Sequence, residues 1–228
     1  NQTPKGLIRI GSEPIIEQSI RKLFSEGIDE VCIVTGHLSR HFEYLEGQFD
    51  RLQFAHNPNY TVSGSMASLH VALNWAQSDL IVLDSDIIYE ARGLNLLLSH
   101  EADSVLLVSG FSEAGDEVWV SGHPKFVTAI SKEAHTVGSE IFGEFVGISK
   151  LSFEFLQKMV LAEEHFSGAQ PQDYEHFLNL IAKESRLQAL HLDDYLWAEI
   201  DDVNHLARAE STVFPKIQQA ETGRFFTV

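Results

Sequence analysis

The sequence predicts an α/β fold built on a doubly wound, mostly parallel sheet, and three observations predict it. Helical and strand-like patterns alternate through the first half of the chain with short loops between them, the order expected of βαβ units. The strand-like runs, such as Val31-Cys32-Ile33-Val34 and Leu80-Ile81-Val82-Leu83, are continuously apolar, as in strands covered on both faces. In the middle, Val118-Trp119-Val120, Phe126 to Ile130 and Glu144 to Ser149 are short and punctuated by Gly and Pro, the mark of an antiparallel ribbon.

Taken in order, Pro14 opens a helix that runs to about Glu26, with Ile15, Ile16, Ile20 and Leu23 on its inner face and Gly27 ending it. Glu30 to Thr35 is a buried strand, Ser39 to Gly47 a helix and Leu52 to His56 a strand. A helix over Ser65 to Ala76 leads into the Leu80 strand, and a helix over Gly93 to Ser99 leads into Ser104–Ser109. After the ribbon come helices at Ser152–His165 and Tyr174–Ser185, strands at Leu187–His191 and Leu196–Ile200, and a helix from Asp202 to Phe214 stopped by Pro215. Residues 216–228 lack periodicity and read as a tail or linker after a domain spanning residues 1–215.

With 228 residues, the chain is long enough to bury a real core. Its 16 basic against 33 acidic residues give a net charge of −17, which excludes a nucleic-acid groove. Any phosphate-binding role therefore needs metal ions and a few well-placed cations. The single cysteine, Cys32, permits no disulfide or zinc framework and reads as a small buried hydrophobe. No run has the length of a membrane span and no signal peptide opens the sequence, so the expected setting is reducing and cytoplasmic, with no membrane partner.

Chemistry concentrates at strand ends. Asp84-Ser85-Asp86 follows an apolar strand, where alternation turns residues i and i+2 to one side and ligands bind beyond the carboxyl ends of the strands. Hard oxygen donors there suit Mg²⁺, although a turn or helix-cap pair has the same spelling. In Glu199-Ile200-Asp201-Asp202, Asp202 suffices as an N-cap, which leaves Asp201 surplus to capping and free to converge with Asp86 on one metal. Thr3-Pro4-Lys5-Gly6 offers a cation on a stiff turn, beside a glycine that permits close backbone approach. Ser63-Gly64-Ser65 precedes a helix and supplies N–H groups and hydroxyls for a base or phosphate, or simple capping. Neither a GxGxxG loop nor a Walker P-loop is present, nor a GxSxG elbow or an HExxH pair.

Together Pro4-Lys5-Gly6-Leu7-Ile8, Ile33-Val34-Thr35-Gly36, Asn57-x-x-Tyr60, Asp84-x-Asp86 and Glu199-Ile200-Asp201 resemble the sugar-phosphate-type nucleotidyltransferases. Gly64-Ser65-Met66, Gly115-Asp116-Glu117-Val118, Phe142-Gly143-Glu144-x-Val146-Gly147-Ile148 and Tyr174-Glu175-His176 are similar to cytidylyltransferases acting on small amino-alcohol phosphates or phosphonates. The resemblance covers about Thr3 to Pro215. It implies a Rossmann-like, doubly wound mixed sheet with a small antiparallel ribbon on the acceptor side. The implied reaction is Mg²⁺-dependent cytidylyl transfer from CTP to 2-aminoethylphosphonate, for tailoring of cell-surface molecules. Lys5, Asp86 and Asp201 are the implied catalytic residues, with Mg²⁺ on Asp86 and Asp201. Lys5, Ser63, Gly64, Ser65 and Asp84 are implied for the nucleotide, and Asp116, Glu117, Trp119, Glu144, Tyr174 and Glu175 for the acceptor. Phosphocholine is the alternative acceptor, and a non-catalytic nucleotide-binding regulatory domain the alternative role. The family pattern also has an apolar strand and a glycine-rich loop ahead of Pro4-Lys5, expected upstream of Asn1. Gly223-Arg224-Phe225-Phe226 is expected to begin a fused aminotransferase domain.

Overall fold

The computed structural model describes residues 3–168, 170 and 172–224; Asn1, and Phe225 and Phe226 of the expected fusion segment, lie outside it. A 3₁₀ turn at Lys5–Leu7 leads into a small hairpin, β1 (Arg9–Ile10) and β2 (Glu13–Pro14), and then α1 (Ile15–Ser25). Ile15, Ile16, Ile20 and Leu23 of α1 are buried, as their spacing requires, and Gly27 ends the helix region with φ +89°. Next come β3 (Val31–Thr35), a 3₁₀ segment at Ser39–Gly47, β4 (Leu52–His56), α2 (Ser65–Leu73) and β5 (Leu80–Leu83). Beyond the acidic turn lie β6 (Ile87–Tyr89), α3 (Ala91–Leu98), β7 (Val105–Ser109), β8 (Trp119–His123), β9 (Phe126–Ser131) and β10 (Ile141–Leu151). The chain then forms α4 (Phe153–Glu164), α5 (Tyr174–Ile181), β11 (Gln188–Leu192), β12 (Trp197–Glu199), α6 (Val203–Arg208) and α7 (Phe214–Arg224).

The principal sheet has the order β11-β7-β10-β8-β9, with β5 also paired to β10. It is mixed, with an antiparallel ribbon, as the family resemblance implies, and not mostly parallel as the alternation of elements alone suggests. Only β11 runs parallel to its neighbour β7, while β10 lies antiparallel to β5, β7 and β8. The sequence showed β10 as a short ribbon strand because its alternation breaks: the register shifts between Ile141 and Gly143 and again between Phe145 and Ser149, and Gly147 sits at φ +79°. That one long strand joins the ribbon to the main sheet. Val105 to Val108 of β7 are wholly buried at its centre. β3 and β4 form a separate parallel ladder, and among the described residues no strand pairs with the second edge of β3.

Two further expectations are corrected. Ser39–Gly47 is 3₁₀ rather than α, with Phe42 and Leu45 stacked inward at a spacing of three. The last helix does not stop at Pro215. A π-helical turn at Ala209–Val213 shifts the hydrogen-bond register just before the proline, and the helix continues as α7. Ile217, assigned to the tail, is 2% exposed and packs with Ile10, Ile88 and Ile200. No helix among the described residues is long and apolar enough to cross a membrane.

Candidate active site

A short antiparallel ladder brings the two acidic clusters together. β6 pairs with β12 in the register Glu199↔Ile87, Ala198↔Ile88 and Trp197↔Tyr89. The start of one strand thus lies beside the end of the other, and Ile200 N donates to Asp86 O at 2.9 Å. Asp86, just before β6, therefore faces Asp201, just after β12. Asp202 caps α6, accepting from Asn204 N at 2.7 Å and His205 N at 2.9 Å. Its neighbour Asp201 is left free for the site.

Lys5 enters from the 3₁₀ turn after Pro4. Its Nζ donates to Asp86 Oδ2 at 3.0 Å and to Asp201 Oδ1. Gly6 lets this turn approach the acidic turn: a β-carbon there would lie 3.0 Å from Ser85 O. Partial burial works against the Lys5 charge, but hydrogen bonds and charges from Asp201 and Asp86 outweigh it and hold the ammonium above its ordinary range. Asp201 is likewise partly desolvated, yet Lys5 holds it below the usual carboxylate range. Glu199 completes a set in which Asp86, Glu199 and Asp201 each offer a carboxylate oxygen within 4.8 Å of the others. Burial, then the charges of Asp86 and Asp201, push Glu199 up to about 7. Three hard oxygen donors this close could hold a divalent cation such as Mg²⁺ once the Lys5 ammonium moves off Asp86 and Asp201.

Asp116 reaches the same cluster from the β7–β8 loop. One of its oxygens, one of Asp201 and a ring nitrogen of His205 lie within 4.8 Å of one another, with Asp116 Oδ2 3.6 Å from His205 Nδ1. Glu144 does not point into this space. It is 2% exposed, and its carboxylate accepts from Ser112 N at 2.8 Å and Ser112 Oγ at 2.9 Å, anchoring the loop that presents Asp116. Arg208 Nη2 donates to Ser112 O at 3.0 Å from the other side. Glu117 folds back on its own loop to accept from Gly115 N at 3.1 Å. Trp119 packs against the exposed Phe111, ring centroids 5.5 Å apart.

Asp84 has partners of its own, separate from those of Asp86. β5 ends at Leu83 and the next residues form a turn, so the alternation that would align both carboxylates does not extend through them. Asp84 accepts from Tyr174 Oη at 3.1 Å, and its carboxylate lies where a β-carbon of Gly147 would be. Desolvation, then the charges of Glu175, Asp86 and Glu199, push Asp84 well above the usual carboxylate range. Burial also raises Glu175, one of whose oxygens has no hydrogen-bond partner among the described residues. Tyr174, at 3% exposure, spends its hydroxyl on Asp84.

The Ser63–Ser65 segment is held from a distance. Gly64, the N-cap of α2, makes no side-chain cap, and a β-carbon there would collide with the Gln172 carbonyl. Asp173 caps the helix instead, accepting from Ser65 N at 3.1 Å and Ser65 Oγ at 3.2 Å. Asn57 Nδ2 donates to Ser63 Oγ at 3.1 Å and Ser68 Oγ at 3.0 Å.

The structure thus gathers Lys5, Asp86, Asp201 and Asp116 at one point, and leaves Asp84, Glu144 and Tyr174 as internal supports. Sequence reasoning cited Glu199 in its acidic run without giving it a role, and passed over Asp173, Ser112, Phe111 and His205. Glu199 was readable, since it opens the same acidic run as Asp201. The others carry no local signal, because their partners lie far away in the chain.

Residues 1–124 match the family described as MobA-like NTP transferase domain. The chain is 22% identical to the CTP:phosphoglutamine cytidylyltransferase of Campylobacter jejuni, covering 89% of each protein. It is 28% identical to the 2-aminoethylphosphonate cytidylyltransferase of Lancefieldella rimae, over 93% of this chain and 76% of that protein. Its fold superposes on the CTP:phosphocholine cytidylyltransferase of Streptococcus pneumoniae with a TM-score of 0.72, at 21% identity, covering 91% of this chain and 89% of the other.

Proposed function

The chain belongs to the MobA-like NTP transferase domain family, and from that premise we propose that it transfers a cytidylyl group from CTP to 2-aminoethylphosphonate. A phosphonate oxygen attacks the α-phosphorus of CTP, the α–β bridging bond breaks, and CMP-2-aminoethylphosphonate and pyrophosphate result. The acceptor brings its own nucleophile. The protein's task is therefore to align two anions and offset their repulsion. The observation that carries this reading is the meeting of Lys5 with Asp86 and Asp201, from three separate parts of the chain.

Asp86 and Asp201 would hold Mg²⁺, with Glu199 beside them. A bound Mg²⁺ supplies charge neutralisation between the reacting phosphorus centres. Lys5 keeps its proton and presents a fixed positive charge to the phosphates. The segment Ser63–Ser65 sits at the start of α2, where Asp173 already takes Ser65 N and Oγ, so its remaining polar groups suit a base or ribose rather than a phosphate. Asp116 and Glu175 offer carboxylates to the ammonium of the acceptor, whose three N–H donors need acceptors when it leaves water. The relatives named above act on acceptors that join phosphorus to a nitrogen-bearing group, which supports an acceptor of this kind.

Phosphocholine is the second reading, favoured by one observation: Phe111 and Trp119 present adjoining rings near the Asp116 loop, and a quaternary ammonium prefers aromatic faces. Pyrophosphate release, measured with each of the four nucleoside triphosphates against both acceptors, tests the proposal. A larger kcat/KM for CTP with 2-aminoethylphosphonate supports it. Preference for phosphocholine overturns the acceptor, and no release with any pair overturns the activity.

A further inference from the structure

We propose that Tyr174 is a positioning residue that ties the start of α2 to the acidic turn carrying Asp86. This rests on the transferase reading above, in which one end serves the nucleotide and the other the metal. Tyr174 N, in the first turn of α5 where the helix offers it no carbonyl, donates to Ser65 Oγ at 3.0 Å, while the hydroxyl donates to Asp84 Oδ2 at 3.1 Å. One residue thus bonds to both ends of the site, reaching 109 residues back to Ser65 and 90 back to Asp84.

The ring between those bonds is stiff. Tyr174 is 3% exposed and meets Phe145 edge-on, centroids 6.3 Å apart and planes at 75°. Phe145 belongs to β10, as does Gly147, whose missing side chain makes room for the Asp84 carboxylate. Asp84 N in turn donates to Gly147 O at 2.9 Å. The turn that carries Asp86 is therefore clamped at Asp84 by strand and phenol together. A buried phenol needs an acceptor, and the Asp84 carboxyl oxygen supplies it across the gap between helix and turn. Groups that orient metal-binding side chains without touching the metal commonly control affinity and rate. Asp173 works beside Tyr174, since it fixes Ser65 from the preceding position in the chain.

Tyr174→Phe removes only the hydroxyl and keeps the ring in place. Mn²⁺ binding is measured first, by the electron paramagnetic resonance of the free ion, with neither CTP nor acceptor present. The expected result is a loss of affinity of about tenfold, the effect typical of an outer-shell partner. Turnover is expected to fall with it, and the Mg²⁺ concentration for half-maximal rate to rise, while the KM for CTP stays near the parent's. Asp84→Asn is expected to behave alike, and the double variant to be worse than either single by no more than about twofold, as for residues acting in one chain of contacts. Unchanged Mn²⁺ affinity in Tyr174→Phe, an additive double variant, or a parent that binds no Mn²⁺ would each overturn the proposal. A parent that binds Mn²⁺ but transfers nothing from CTP would sink the transferase reading alone, and the binding comparison would still decide the role of Tyr174.

Discussion

Asp86 and Asp84 stand two residues apart in one turn, yet they live in different surroundings. Asp86 faces an ammonium, a second aspartate and a glutamate, at a surface where Lys5 and Asp201 are both solvent-accessible. Asp84, only partly buried, meets a phenol and the open space left by a glycine. The first arrangement concentrates negative charge that a cation must balance. The second raises its carboxyl well above the usual range, by desolvation and then by the charges of Glu175, Asp86 and Glu199, while bonds to Tyr174 Oη and Gly147 O fix its place. Environment, rather than residue type, divides the work between them.

Substitutions on the two sides separate these roles. The largest effect is expected from Asp86→Asn and Asp201→Asn, each of which deletes a negative ligand while keeping its size. Pyrophosphate release should fall by about a thousandfold, at the upper end for one preorganised group in a transfer site. Thermal melting should stay close to the parent's, and a variant retaining a tenth of the rate would break the contrast.

Lys5→Ala comes next. Losing one aligned charge in a phosphoryl-transfer site costs about 3 kcal/mol, or roughly a hundredfold in rate. The ion pairs it makes are partly exposed, so stability should change little. Initial rates and a urea titration on the same preparation would show both, and a rate within about twofold of the parent would return Lys5 to the ordinary surface.

Asp84→Asn should cost about tenfold, expressed as weaker metal activation rather than as abolished turnover. A loss as deep as that of Asp86→Asn would merge the two sides into one ligand set. Smallest of all, Asp173→Ala should reduce stability by about 1 kcal/mol, the usual worth of a helix N-cap. Urea unfolding measures it, and an unchanged midpoint would show that Ser65 and α2 do not depend on the distant cap.

Much of the fold was legible because it is local. α1 could be placed from the spacing of four apolar residues and a closing glycine, and β7 from an unbroken aliphatic run. Pro215 misled because a proline is a reliable stop only when the preceding helix keeps its hydrogen-bond register, and here a π turn changes it. β10 misled because two register shifts and a left-handed glycine hide its alternation.

For the site, the sequence by itself determined which groups carry the charge. Lys5 on a proline-stiffened turn, the acidic run before β6 and the surplus aspartate beside the α6 cap are all matters of residue type and short spacing. What only the tertiary structure decided is where each group points. Asp84 meets Tyr174, Glu144 is spent on Ser112, and Asp173 caps a helix that begins 108 residues earlier. The physical reason is the range of the interactions. A hydrogen bond between distant segments leaves no periodicity in either of them, and a side chain's direction beyond the last strand residue is set by the partner it meets.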